Sequence, residues 1–189
     1  MFKVQSLKFK ATSAFFWLFT FNFLLFFYSC ENDLVEVATQ TTENKFPSTT
    51  YINYDVLYSD SAIVRVRLQG KTMEQYDGDI AHDEFKDGVH LIFFDEHKKV
   101  ESEMTANHAT RLRTTNKMEA RGNVVVFNKK GDKLNTEHLV WDANSRKIFT
   151  EEHVRITTAD KIITGKGLIS DETFTNYRVK NITGQIRLR

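Results

Sequence analysis

The chain has 189 residues, with 26 Lys and Arg against 25 Asp and Glu, a formal net charge of +1, one proline, one cysteine and eight glycines. A near-neutral balance with no large basic block excludes the counterion-releasing phosphate contacts on which non-specific nucleic-acid binding depends. A lone cysteine excludes an internal disulfide, so the fold must rest on its core and its backbone ladders.

At the N-terminus, Lys3, Lys8 and Lys10 precede an uncharged run from Ala11 to Tyr28 that is rich in Phe and Leu, which reads as an export signal. The run is about 18 residues, the lower edge of what spans a bilayer, so length alone fits either a cleaved signal or a retained helix. Its end, Phe27-Tyr28-Ser29-Cys30, looks like a relaxed lipobox. Residues 1–29 are therefore expected to be a lipoprotein signal peptide, and Cys30 the acylated residue that fixes the protein to a membrane. An incidental thiol beside an uncleaved helix is the competing reading. Loss of residues 1–29 removes three lysines and no acids, so 26 basic and 25 acidic residues become 23 and 25, a net charge of −2.

From Glu31 to about Thr50 the chain is polar and holds the only proline, Pro47. Residues 30–50 are read as a flexible tether, and residues 51–189 as one folded domain. Beyond the tether the pattern has period two. In Ile63-Val64-Arg65-Val66-Arg67-Leu68 the residues Val64, Val66 and Leu68 share one face and the arginines the other, as in a half-buried strand. Gly122-Asn123-Val124-Val125-Val126-Phe127 is apolar on both faces and reads as a central strand. Val154-Arg155-Ile156 and Tyr177-Arg178-Val179-Lys180 alternate again. No stretch carries an apolar helical period with caps, so the domain is predicted to be all-β.

Turn signals separate these strands: Asp77-Gly78, Asp87-Gly88, Asp95-Glu96-His97, Lys130-Gly131-Asp132, Asp142-Ala143-Asn144-Ser145, Ala159-Asp160 and Ser170-Asp171. Each is read as a hairpin. The unit from Val124 to Phe149 returns in looser form from Val154 to Arg178, and a still looser copy runs from Gly88 to Ala109. Repeated strand–turn–strand units indicate stacking, because one such unit cannot bury its apolar face alone.

No catalytic motif accompanies these strands. His108 and His138 occupy equivalent repeat positions, but no further ligand completes a metal site at a usable spacing, and neither a metal nor a cofactor is expected. Asp79, His82, Asp83 and Glu84 form an acidic cluster without a nucleophile or a phosphate-cradling loop, and read as a solvated turn.

Certain segments carry a resemblance to a known family. They are Leu57-Tyr58-Ser59-Asp60, Glu84-Phe85-Lys86-Asp87-Gly88-Val89, Phe93-Phe94-Asp95, Met104-Thr105-Ala106-Asn107-His108-Ala109, Gly122-Asn123-Val124, Leu139-Val140-Trp141-Asp142 and Thr164-Gly165-Lys166-Gly167-Leu168 with Ser170-Asp171. Over about Asn53 to Gly184 the chain resembles the LptC family, the periplasmic component of the lipopolysaccharide-export bridge. The resemblance implies an open, twisted β-jellyroll of stacked antiparallel hairpins whose apolar inside holds acyl chains. It implies a non-enzymatic role, in the periplasm at the inner membrane. The implied partners are lipopolysaccharide, the transporter subunits LptB, LptF and LptG at one end, and an LptA-like jellyroll at the other. Many members keep a transmembrane helix, from which a lipobox would depart.

Val64, Val66, Leu68, Val124, Val126, Leu139, Trp141, Ile148, Val154, Ile156 and Ile163 are the candidate groove residues, with ordinary core packing as the alternative for each. Arg178, Val179, Ile182 and Ile186 are placed on the strand expected to pair with a partner. A β-sandwich lipoprotein that binds carbohydrate or mediates adhesion is the competing functional class.

Overall fold

A computed structural model describes residues 46–187. The segment read as a signal peptide, Cys30 and most of the stretch read as a tether lie outside the described residues. Within them are β1 (Thr49–Asp60), β2 (Ile63–Tyr76), β3 (His82–Phe85), β4 (Val89–Phe94), β5 (Val100–Ala106), β6 (His108–Leu112), β7 (Lys117–Asn128), β8 (Lys133–Asp142), β9 (Lys147–Thr157), β10 (Lys161–Asp171) and β11 (Tyr177–Arg187), with no helix among the described residues. All eleven strands join one antiparallel sheet that does not close on itself, with β1 at one end and β11 at the other. The expectation of an all-β, open jellyroll is met.

Pairing explains how one sheet makes two walls. β3 pairs with the distal part of β2, from Met73↔Phe85 to Tyr76↔His82, whereas β4 pairs with its proximal part, from Val66↔Phe93 to Gln69↔His90. The next pair divides in the same way: β6 lies between β3 and the start of β7, and β5 between β4 and the end of β7. Counting β3–β4 and β5–β6 as single rungs turns eleven strands into a nine-rung meander. Each rung crosses from a first half-sheet, which carries β3 and β6, to a second, which carries β4 and β5.

The crossing points are breaks in register: Arg121/Val124 on β7, Asn135/Val140 on β8, and Lys166/Leu168 and Thr164/Gly165 on β10. Such breaks bend a strand and free backbone groups that must find other partners. Here the Asn107 amide donates to Gly122 O at 3.0 Å, the Asn123 amide to Glu137 Oε2 at 3.1 Å, and the Thr136 hydroxyl to His153 O at 2.9 Å. Gly122 and Asn123 both have positive φ, 74° and 47°, which glycine adopts freely and asparagine tolerates. At the same line on β2, a Cβ on Gly70 would stand 2.7 Å from Gly88 O, so only glycine fits.

Two sequence expectations change at this line. Asp87-Gly88 is not a hairpin but the corner at which the β3–β4 path turns from one half-sheet to the other, since both segments pair with β2. Gly122–Phe127 is indeed interior to the sheet, yet its outward face is solvated. Val124 and Val126 are buried while Phe127 is 46% exposed, with the Lys133 ammonium 5.2 Å from its ring centroid. The first strand starts at Thr49, inside the stretch read as tether.

Inward-facing side chains of both half-sheets form one hydrophobic cluster. Phe85, Met118, Leu139, Trp141, Ile148 and Leu168 come from the first half-sheet, and Val66, Leu91, Phe93, Met104, Leu134 and Ile156 from the second. Phe93 meets Trp141 edge-on at 5.3 Å across the gap, so the walls pack against each other.

Candidate functional site

Strand alternation places ten of the eleven candidate groove residues in the core: Val66, Leu68, Val124, Val126, Leu139, Trp141, Ile148, Val154, Ile156 and Ile163 are each at most 8% exposed. They form a continuous apolar interior running along the meander, filled by side chains in this structure. Val64 stands apart. The β1–β2 register shifts at Tyr58/Ser59, where β2 carries an extra residue, and that turns Val64 away from Val66. It is half-buried and shares a recess of about 550 Å³ with Asp55, Leu57, Arg67, Phe94 and Lys98 instead. Alternation alone could not reveal this, because a bulge inverts the face of every residue beyond it.

Sequence reasoning missed the element that closes the interior. The β10–β11 turn begins in the first half-sheet and reaches across to the second. Ser102 on β5 donates its hydroxyl to Glu172 O at 2.6 Å, and Asn128 at the end of β7 donates Nδ2 to Phe174 O at 2.8 Å. The Glu172 carboxylate accepts from Trp141 Nε1 at 3.1 Å and from Arg146 Nε at 2.7 Å. Phe174 is fully buried and stacks on Tyr177 with ring centroids 5.0 Å apart. The available signal was a phenylalanine in an otherwise polar run, Asp171-Glu172-Thr173-Phe174-Thr175-Asn176.

Asp171 organises this turn. Its carboxylate accepts from the Thr175 amide at 2.8 Å, the Asn176 amide at 3.1 Å, the Asn176 side chain at 2.8 Å and the Thr173 hydroxyl at 2.9 Å. Burial pushes the carboxyl up, but these donors together outweigh burial and hold it below the ordinary carboxylate value. The turn's stability from this source is therefore present above the unfolded value, about 3.9, and is lost as pH falls through the folded one. Thermal melts followed by circular dichroism should show an acid-labile component below about pH 4 that Asp171→Asn removes. An identical acid profile in that variant would separate Asp171 from the effect.

The predicted partner strand is β11, and it does lie at the sheet's end, paired only with β10 among the described residues. Arg178, Ile182 and Ile186 are exposed, while Val179 is half-buried and packs against the core. At the other end β1 presents Ile52 and Leu57, both more than half exposed.

The polar clusters have structural placements. Arg121 sits between His108 and His138 in the ladder, paired with both. Among the described residues no group of three metal-ligating side chains converges. The acidic cluster splits across β3: His82 and Glu84 approach at 3.6 Å on the half-exposed face, while Asp83 turns inward, within 3.8 Å of Arg111 and 3.5 Å of Arg113. Burial raises the Asp83 carboxyl, with both arginines opposing.

A family model described as "Lipopolysaccharide-assembly, LptC-related" matches residues 18–184 of the chain. No curated protein matches it.

Proposed function

The chain belongs to the LptC family, whose members serve lipopolysaccharide transport in the periplasm in association with the inner membrane, and from that premise we propose that it relays the lipid between neighbours. It receives lipopolysaccharide from the ABC transporter formed by LptB, LptF and LptG and passes it to an LptA-like jellyroll. The observation that carries the reading is the pairing of one continuous apolar interior with two strand edges that no other described strand covers. Exposed edges invite strand addition, and added strands would prolong both walls. Acyl chains suit the interior because each buried methylene contributes about 0.8 kcal/mol. The interior is mostly apolar and binds without chemistry of its own, and the work of moving lipid comes, on this reading, from the transporter's ATP hydrolysis.

Acylation of Cys30 would hold the domain at the membrane, with residues 31–48 supplying reach; a retained apolar helix is the other means of attachment. Photocrosslinking tests the central claim. Benzophenone side chains at Val126, Trp141 and Ile156 are expected to capture lipopolysaccharide in cells, and one at outward-facing Arg155 is not. Capture at Arg155 alone would reject the interior as the lipid's path.

A further inference from the structure

We propose that the turn Glu172–Asn176 is a displaceable plug: Phe174 occupies, between the half-sheets, the place of an acyl chain and is expelled when one enters. The proposal rests on the lipid-carrying reading above and deepens it. The interior contains no room of its own at the named residues, since ten of them are at most 8% exposed. A chain can enter only where something yields.

The turn differs from the other walls in how it is held. Core strands are fixed by backbone ladders along their length, whereas this segment crosses the gap on two side-chain bonds, Ser102 to Glu172 O and Asn128 to Phe174 O. Each such bond contributes only about 1 kcal/mol net where the freed donor finds a new partner, which Ser102 and Asn128, 1% and 7% exposed with the turn in place, must do once it lifts. Phe174 itself is held at φ 50°, a region that a bulky residue with a Cβ occupies only under strain. Withdrawal relieves that strain, and an incoming hydrocarbon replaces the ring's contacts in the core. What remains unfavourable is exposure of one phenyl ring and loss of the two latch bonds, which burial of the chain offsets.

Space for the withdrawn turn exists. A recess of about 790 Å³ lies beside it, with Arg146, Ile169, Thr175, Asn176 and Tyr177 among its walls. The Glu172 carboxylate, bound to Trp141 and Arg146, keeps the base of the turn attached to β8 and the β8–β9 turn while its tip moves. The segment thus has a fixed end, a strained and apolar tip that Asp171 braces internally so that it moves as one piece, and a two-bond latch across the gap.

Hydrogen–deuterium exchange on the full chain in phosphatidylcholine nanodiscs, titrated with hexa-acylated lipid A, tests this. Saturating lipid A is expected to raise exchange in a peptide covering residues 171–177 on the order of tenfold, with β7–β9 unchanged or better protected. Phe174→Ala is expected to bind lipid A on the order of tenfold more tightly, because the competing plugged state is removed. Ser102→Ala serves as a second variant that weakens the latch without opening a large cavity, and it should tighten binding by a smaller factor. Lipid A binding with unchanged exchange at residues 171–177 would overturn the plug and leave the lipid-carrying reading standing. Absence of binding in the parent protein and in both variants would overturn both.

Discussion

Aspartate at both Ile182 and Ile186 is expected to abolish the capture of an LptA-like partner that we propose for the C-terminal edge, while the domain stays folded. These side chains are 60% and 63% exposed, and neither belongs to the core, so their replacement removes no packing. Surface changes of this kind alter stability by about 0.5 kcal/mol or less. Their effect on association is of another order. Strand addition needs the edge to shed water and accept a neighbour's side chains at close range, and charge on an edge strand is a device by which proteins prevent this. A loss of roughly a hundredfold or more in affinity is expected, read by pull-down or sedimentation with the purified partner. Ile169→Asp on β10, also exposed but not on the terminal strand, is the control that should bind normally. Normal binding by the double variant would remove β11 as the docking edge. Removing the whole strand would be less informative, because Tyr177 and Val179 pack on the core and Leu168 on β10 is buried beneath it.

Trp141→Ala is expected to be the most destabilising of the single changes considered. The indole is 4% exposed, meets Phe93 edge-on across the gap and donates to Glu172. Truncating a buried aromatic to alanine costs about 3–5 kcal/mol, which for a domain of this size lowers the melting temperature on the order of 10 °C. Trp141→Phe separates packing from hydrogen bonding. It keeps an aromatic ring at the wall-to-wall contact but loses the N–H, at about 1 kcal/mol since Glu172 retains Arg146 at 2.7 Å, together with the packing of the second indole ring. Denaturant midpoints for the two variants give the comparison. Equal losses would mean that the bond to Glu172, rather than contact between the walls, joins the half-sheets here.

Fold class and interior were legible because they depend on short-range patterns. Val66 and Leu68, Val124 and Val126, and Val154 and Ile156 alternate with exposed or half-buried neighbours as a sheet with one buried face requires. The hairpins at Asp77-Gly78, Lys130-Gly131 and Ala159-Asp160 likewise follow from local turn chemistry. Non-local features were less accessible. Asp87-Gly88 has the composition of a hairpin, yet whether an Asp-Gly pair reverses a strand or merely bends it depends on the strands that its flanking segments pair with, here β2 on both sides. Val64 fails for a related reason, since one extra residue opposite Ser59 inverts its face without leaving a compositional mark. Phe174 was hidden among polar neighbours because its environment is assembled from β5, β7 and β8, tens of residues away in sequence.

The bend shared by the rungs sets a condition on what can dock. Each terminal strand offers two inclined runs of peptide groups rather than one straight run: β1 pairs through Thr49–Ile52 with one wall's part of β2 and through Tyr54–Asp60 with the other's. A flat guest strand could follow only one of these directions and would leave the second run facing water. A guest folded at the same point would satisfy both at once, so under the proposed strand addition the corner would act as a selectivity filter for chains of like curvature, and a conduit assembled this way would continue past each junction without a step.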